Sequence, residues 1–253
     1  MYPDEFDYYK AETVTEAIDL LDEHAMEETE LLAGGHSLLP AMKTGLSSPD
    51  VLIDIGDIDE LHGVTVDGDT LSIGAMNRYS DVLGSEDAHE HAPALTAAVE
   101  RVGDRQVRNR GTIGGNLAHA DPASDLPGTA LASDATLVVQ GPDGERTIPA
   151  AEFYYGMYAT DLGPAELLTR IEIPSAADAV GTYAKKSSPS SGYAMVGVAA
   201  LVTVDDGTVS AARIGANGAM DHGVRLEPVE DALTGEPLDE ETIATAASRA
   251  TDD

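Results

Sequence analysis

The sequence predicts an α+β fold in three successive lobes, and three observations carry that expectation. The 253 residues suffice for one large domain or two to three small ones. Strand-like and helix-like segments alternate at the start of the chain and give way later to hairpins. Two glycine-rich loops, AGGHSLLPAMK (Ala33–Lys43) and RNRGTIGGNLAHADPASDLP (Arg108–Pro127), lie about one small domain apart, as expected for a ligand held between two lobes.

Thr13-Val-Thr-Glu16 reads as a capping box opening a helix, in which Val14, Ala17, Ile18 and Leu21 recur at helical spacing. Glu30–Ala33 is a short strand that delivers the first glycine loop, and Val51–Ile55 is a second. Residues 1–55 are therefore expected to form an N-terminal α/β lobe. Val64 and Val66, the turn Asp67-Gly68, then Leu71 and Ile73 give a hairpin. Pro93 suits the first turn of a helix ending near Gly103. Pro142-Asp-Gly144 turns another hairpin, and Leu167–Ile173 is a strand stopped by Pro174, closing a central lobe over 56–176.

A composition shift at Ser175–Asp178 opens a third lobe, 177–253. There Tyr193–Val204 reads as a long apolar strand, Asp205-Asp-Gly207 as its turn, and Val209–Ile214 as the return strand. Pro228–Leu233 and Asp239–Ala250 read as short acidic helices.

Composition narrows the classes. A formal net charge of −32, from 14 basic against 46 acidic residues, is spread over the whole chain. Such a surface suits conditions where salt screens charge over roughly 3 Å, as in a halophile, and disfavours nucleic acid and anionic membranes as partners. With no cysteine, the chain holds no disulfide, thiolate zinc site or iron–sulfur cluster of its own. MYPDEFDYYK has neither a basic n-region nor an apolar h-region, and no apolar run approaches the ~18 residues of a membrane span. A cytoplasmic protein is expected.

The chemistry concentrates in the two loops. Gly34, Gly35, His36 and Ser37 offer successive N–H groups and a hydroxyl, with Pro40 ending the turn. Met42 occupies the glycine position before Lys43-Thr44, which rejects a P-loop, and no GxGxxG opens a helix. In the second loop Gly114 and Gly115 can take positive φ, and with Asn116 they supply backbone donors. Thr112 can donate a hydroxyl to a phosphate oxygen. A pyrophosphate is the natural ligand. His119, Asp121 and Asp125 are too few and too hard for a metal site, so neither a metal nor a catalytic residue is assigned. Arg105, Arg108 and Arg110 form a basic knot that either faces an anion or partner or pairs internally with acids such as Asp104.

AGGHSLLPAMK and TIGGNLAHADPASDLP resemble the two FAD-binding signatures of the medium, flavin-carrying subunit of the molybdenum hydroxylases, the family of aerobic carbon monoxide dehydrogenase and xanthine dehydrogenase. The resemblance runs from Tyr8 to about Leu238. It implies a PCMH-type FAD-binding fold, with two α/β lobes holding FAD and a C-terminal α+β lobe of the carbon monoxide dehydrogenase flavoprotein type. It places Leu32, Ala33, Gly34, Gly35, His36 and Ser37 opposite Gly111, Thr112, Ile113, Gly114, Gly115 and Asn116 around the pyrophosphate, with Val102 and His119 also at the cofactor. Asp125 falls near the adenosine ribose. Leu168 lies on a strand meeting the ring system, and Lys185 and Tyr193 lie beside the isoalloxazine.

Implied partners are a molybdenum-cofactor large subunit and a [2Fe–2S] small subunit in a hetero-oligomer, with electrons passing from the clusters via FAD to an external acceptor. Family members usually continue past this chain's last residue, so a shortened third lobe is expected. The alternatives are the flavin subunit of a purine or aromatic hydroxylase, a stand-alone FAD-dependent oxidoreductase, and a flavin-free scaffold.

Overall fold

A computed structural model describes residues 2–252. The first unit contains β1 (Asp7–Lys10), α1 (Val14–Glu23), β2 (Thr29–Leu32), α2 (Leu38–Thr44) and β3 (Val51–Asp54). Its three strands are parallel in the order β1-β3-β2. Thr13 caps α1 through the Glu16 N–H (3.1 Å), while the Glu16 carboxylate takes the Glu12 N–H (2.7 Å), so only half of the expected capping box forms. Val14, Ala17, Ile18 and Leu21 are all buried as read, packing on Val51, Ile53 and Leu61. Each large aliphatic side chain so buried contributes about 1.5–3 kcal/mol.

The middle of the chain runs β4 (Val64–Asp67), β5 (Thr70–Gly74), α3 (Tyr79–Leu83), α4 (Glu86–His91), α5 (Pro93–Arg101), α6 (Arg105–Arg108), α7 (Ile113–His119) and α8 (Leu126–Ala132). It continues with β6 (Thr136–Gly141), β7 (Gly144–Pro149), α9 (Ala150–Phe153), β8 (Tyr154–Gly156), β9 (Ala159–Thr160) and β10 (Leu167–Pro174). Five of these strands form an antiparallel sheet, β4-β5-β10-β6-β7. The expected hairpin forms, but Asp67 closes β4 by pairing with Thr70, so the turn is Gly68-Asp69 instead of Asp67-Gly68, with Gly68 at φ 58°. Pro93 opens α5 at its first turn.

The last part holds β11 (Val180–Ser187), β12 (Ala194–Asp205), β13 (Thr208–Asn217), β14 (Val224–Arg225), α10 (Glu227–Leu233) and α11 (Glu240–Ala247). The strands form one antiparallel sheet in chain order. Tyr183 and Ala199 of this sheet join the core that β5, β6, β10, α5 and α8 build, so the third sheet is packed onto the second unit. Among the described residues no helix is long and apolar enough to cross a membrane.

Candidate functional site

The first glycine loop leaves the C-terminal end of β2 and turns into α2. Pro40 lies inside the first turn of that helix instead of ending the loop. Gly35 sits at φ 72°, a conformation that favours glycine. The backbone N–H groups of Gly34, Gly35, His36 and Ser37 have no hydrogen-bond partner among the described residues. Four successive donors left free at a turn form an anion cradle.

The second loop differs from its sequence reading. Thr112 is the N-cap of α7, and its hydroxyl accepts the Gly115 N–H at 3.2 Å. Asn116 N–H bonds the Thr112 carbonyl (3.1 Å), Gly114 N–H the Ala75 carbonyl (2.8 Å), and Ile113 N–H the Asn77 carbonyl (3.0 Å). None of these glycines has positive φ. The helix start and the end of β5 consume the donors expected to face a phosphate. The glycines instead permit close packing: a Cβ at Gly114 would collide with Ala75.

Backbone holds the two loops together. A Cβ at Gly34 would stand 2.5 Å from the Arg110 carbonyl and 2.9 Å from Gly111 Cα. One at Gly115 would lie 3.3 Å from the Ala33 Cβ. The Asn116 side chain is fixed between the Tyr79 hydroxyl (2.8 Å) and Ser124 (2.6 Å), so it orients α7 rather than reaching outward. Beside the loops opens a cavity of about 140 Å³, with Leu32 and Met76 as apolar lining, Asp54, Asp57 and His62 as polar lining, and Arg78 and Arg110 beside Gly34 and Thr112. Gly34, with its free N–H, lies in this cavity with two guanidiniums, a match for part of a diphosphate, and Leu32 and Met76 offer apolar faces for a heterocycle. The residues present fit FAD.

Outside this cavity, three side chains from distant elements meet. Lys185 Nζ lies 2.8 Å from Asp125 Oδ2 and 3.0 Å from the Arg101 carbonyl. The Tyr183 hydroxyl donates to Asp125 Oδ1 at 2.6 Å. Both charged side chains are almost fully buried, at 4% and 6% exposure. Burial pushes the Asp125 carboxyl above its ordinary range, against the hydrogen bonds from Lys185 and Tyr183; burial also raises the Tyr183 hydroxyl. Turning the Asn217 amide would let its otherwise unpaired nitrogen donate to the Tyr183 oxygen, 3.2 Å from the amide. Gly197 must lack a Cβ for that hydroxyl to arrive.

The roles implied for Asp125 at a ribose and Lys185 at a ring would separate them along one cofactor, yet their charged atoms touch. Both carboxylate oxygens of Asp125 are engaged inside the protein, so it is not an open acceptor for ribose hydroxyls. Val102 is buried beside them, its carbonyl and that of Gly103 held by Arg108 at 2.9 and 3.2 Å. Tyr193 is 46% exposed; burial of its hydroxyl side and the charge of Asp121 raise its pKa. His119 packs against Tyr158 at 5.0 Å, and partial burial lowers its pKa. Leu168 lies buried in β10, paired with Val139, next to a bulge.

Among the described residues none of the three arginines of the basic knot forms an ion pair, but Arg108 donates to the Val102 and Gly103 carbonyls and its charge helps to hold the Asp104 carboxyl low. The Asp104 carboxylate caps α6 through the N–H groups of Gln106 (2.8 Å) and Val107 (2.9 Å), and the Val107 hydrogen bond leads in holding its pKa low. Reading the sequence missed Tyr79, Tyr183, Met76, Arg78 and Asp54. Tyr183 carried a signal: it stands two residues before Lys185 on a strand, hence on the same face.

Comparison with known proteins gives the same frame. The family described as the FAD binding domain in molybdopterin dehydrogenase matches residues 4–176, and the CO dehydrogenase flavoprotein C-terminal domain matches 182–253. The carbon monoxide dehydrogenase medium chain of Hydrogenophaga pseudoflava is 38% identical over 99% of this chain and 87% of its own length. The glyceraldehyde dehydrogenase medium chain of Sulfolobus acidocaldarius is 35% identical over 98% and 88%. Solved structures superpose closely. Carbon monoxide dehydrogenase from H. pseudoflava gives a TM-score of 0.94 at 39% identity, covering 98% of this chain and 87% of that one. Quinoline 2-oxidoreductase from Pseudomonas putida gives 0.93 at 32%, covering 100% and 87%.

Proposed function

We propose that this chain, which belongs to the FAD-binding subunits of the molybdenum hydroxylases, is the electron-transfer subunit linking [2Fe–2S] clusters of a partner subunit to an external acceptor. It is an oxidoreductase subunit that binds FAD. Bound FAD supplies the interconversion of one- and two-electron steps. The protein's contribution is position, exclusion of water and a fixed electrostatic setting.

The observation that carries this reading is the contact between the two glycine loops beside four free N–H groups. Gly34 to Ser37 would receive the diphosphate, with Arg78 and Arg110 neutralising charge. Thr112 to Asn116 would act as a rigid wall that sets the gap, not as a second donor row. Leu32 and Met76 would flank the adenine. Tyr193 would meet the ring end, with Val102 and the buried Lys185–Asp125 pair behind that surface and Leu168 in the sheet. Because Lys185 and Asp125 neutralise each other, they offer the ring a dipole more than a net positive charge. We assign the lobes to 1–55, 56–176 and 177–253.

The partners are a molybdenum-cofactor large subunit and a [2Fe–2S] small subunit. Tyr155, Met157 and Tyr158 of the β8–β9 hairpin stand exposed with Met195 and Met220. Backbone bonds from Tyr158 to Ala120, Ala194 to Ala123 and Gly218 to Pro122 gather their segments around one loop. Aromatic and methionine side chains of this kind are enriched in interface cores. The primary substrate is set on the large subunit, in keeping with the near-equal superposition of carbon monoxide dehydrogenase and quinoline oxidoreductase structures.

The test mixes the FAD-loaded chain anaerobically with the reduced [2Fe–2S] subunit. Rapid bleaching of the flavin absorbance supports the assignment. An unchanged flavin spectrum, with the two subunits shown to be associated, contradicts it.

A further inference from the structure

The arginines of this chain fall into two sets. Arg146, Arg170, Arg213, Arg225 and Arg249 each pair with a carboxylate. Arg78, Arg101, Arg105, Arg108 and Arg110 pair with none among the described residues, in a chain of 46 acidic residues. Asp104 caps α6 and lies close enough to Arg108 for the guanidinium to help hold its carboxyl low, and Asp81 accepts the Arg78 backbone N–H at 3.0 Å.

Arg101 and Arg105 are exposed. Arg105 and Arg108 share an open hollow with Ser80, Gly84 and Asn109. Lys185 donates to the Arg101 carbonyl and Arg108 to the Val102 carbonyl. Arg78 and Arg110 line the cavity assigned to the diphosphate, so the belt left for a partner is Arg101, Arg105 and Arg108, and it begins at the end of the site assigned to the flavin ring. A positive rim on a chain of net charge −32 attracts acidic surfaces and steers their approach.

We propose that this belt docks an acidic one-electron carrier protein, which is the external acceptor; the proposal rests on the electron-transfer reading above. Arg101 and Arg105 are both exposed and Arg105 shares its hollow with Arg108, a set of separate charges that suits a protein surface better than a single small anion. Transient redox contacts are small and depend on charge, whereas permanent subunit contacts have apolar cores. The chain offers the latter separately at Tyr155, Met157 and Tyr158.

The test uses the assembled complex and an acidic [2Fe–2S] ferredoxin as probe, with an uncharged quinone analogue as control. Binding is measured by calorimetry, and flavin reoxidation by stopped flow, for the wild type and for R101E combined with R105E. Flavin per chain and subunit composition are checked first. The expected result is ferredoxin binding and reoxidation weakened on the order of tenfold at the lowest salt that keeps the complex intact. The difference should shrink as salt rises, and the quinone rate should not change. Equal ferredoxin binding by both forms overturns the proposal. So does loss of a partner subunit from the variant, which would make the belt a subunit interface. A wild-type complex without flavin overturns the electron-transfer reading as well.

Discussion

Lys185 and Asp125, sixty residues apart in the chain, form an ion pair of 2.8 Å with both side chains almost completely buried. The pair ties the third sheet to the loop before α8, and Lys185 also holds the last carbonyl of α5. Its position at the junction of three elements makes it a structural clasp and, on the proposed placement of the flavin, the electrostatic setting of the ring end.

Removing one partner leaves the other charge buried and uncompensated. Asp125→Asn is expected to destabilise the fold by about 3–5 kcal/mol, measured by denaturant unfolding. The double variant Asp125→Asn with Lys185→Met should lose clearly less than the sum of the two single variants. Additive losses would show that the pair is not coupled.

With the ring placed at this pair as proposed, the pairing sets the direction of flavin tuning. Asp125→Asn exposes an uncompensated ammonium at the ring end and should raise the flavin reduction potential. Lys185→Met should lower it by less, because burial already raises the Asp125 carboxyl and the lone acid can take up a proton. Spectroelectrochemical titration of FAD-loaded protein checks both. Equal and opposite shifts would mean that Asp125 stays ionised without its partner.

Gly34 is the point where the two loops touch. Gly34→Ala places a Cβ against the Arg110 carbonyl and Gly111 Cα, forcing the loops apart while α1, β1 and β3 keep their packing. FAD affinity should fall at least about tenfold, roughly 1.4 kcal/mol, with far-UV circular dichroism unchanged. Full affinity in the variant would separate loop contact from cofactor binding.

Acid should act through Arg146. Hydrogen bonds from its guanidinium hold Asp161 and Glu166 below the ordinary carboxylate range. A carboxyl with a depressed folded pKa contributes stability above its unfolded pKa and loses it as pH falls through the folded value. Between about pH 5 and pH 3, around the ordinary carboxylate range, wild-type melting temperature should therefore fall more steeply than that of Arg146→Met. Parallel profiles would remove this cluster from the acid response.

Much of the fold was legible because its signals are local. The Val14–Leu21 stripe, the hairpin around Gly68 and Pro93 each act within a few residues; the stripe and Pro93 form as read, and the hairpin forms with its turn one residue later. The locations of the glycine loops were legible too. Their hydrogen bonding was not, because the fate of the Gly114 and Ile113 donors depends on Ala75 and Asn77, nearly forty residues upstream. The Thr112 hydroxyl, read as a phosphate donor, is a helix cap. Asp125 and Lys185 were singled out individually, but only the packing of β11 against α5, with α8 laid on β12 and β13 of the same sheet, reveals that they neutralise each other. Short helices such as α3 and α6, with four or five residues, have too little periodicity to be read.

The most direct test of the account is the flavin content of the complex, assembled with its partner subunits and carried through gel filtration, for wild type and Gly34→Ala in parallel. The account expects one FAD per chain in the wild type and a large loss in the variant with the subunits still associated. A wild-type complex that retains no FAD, or a variant that retains it fully, would contradict a cofactor held at the contact of the two glycine loops.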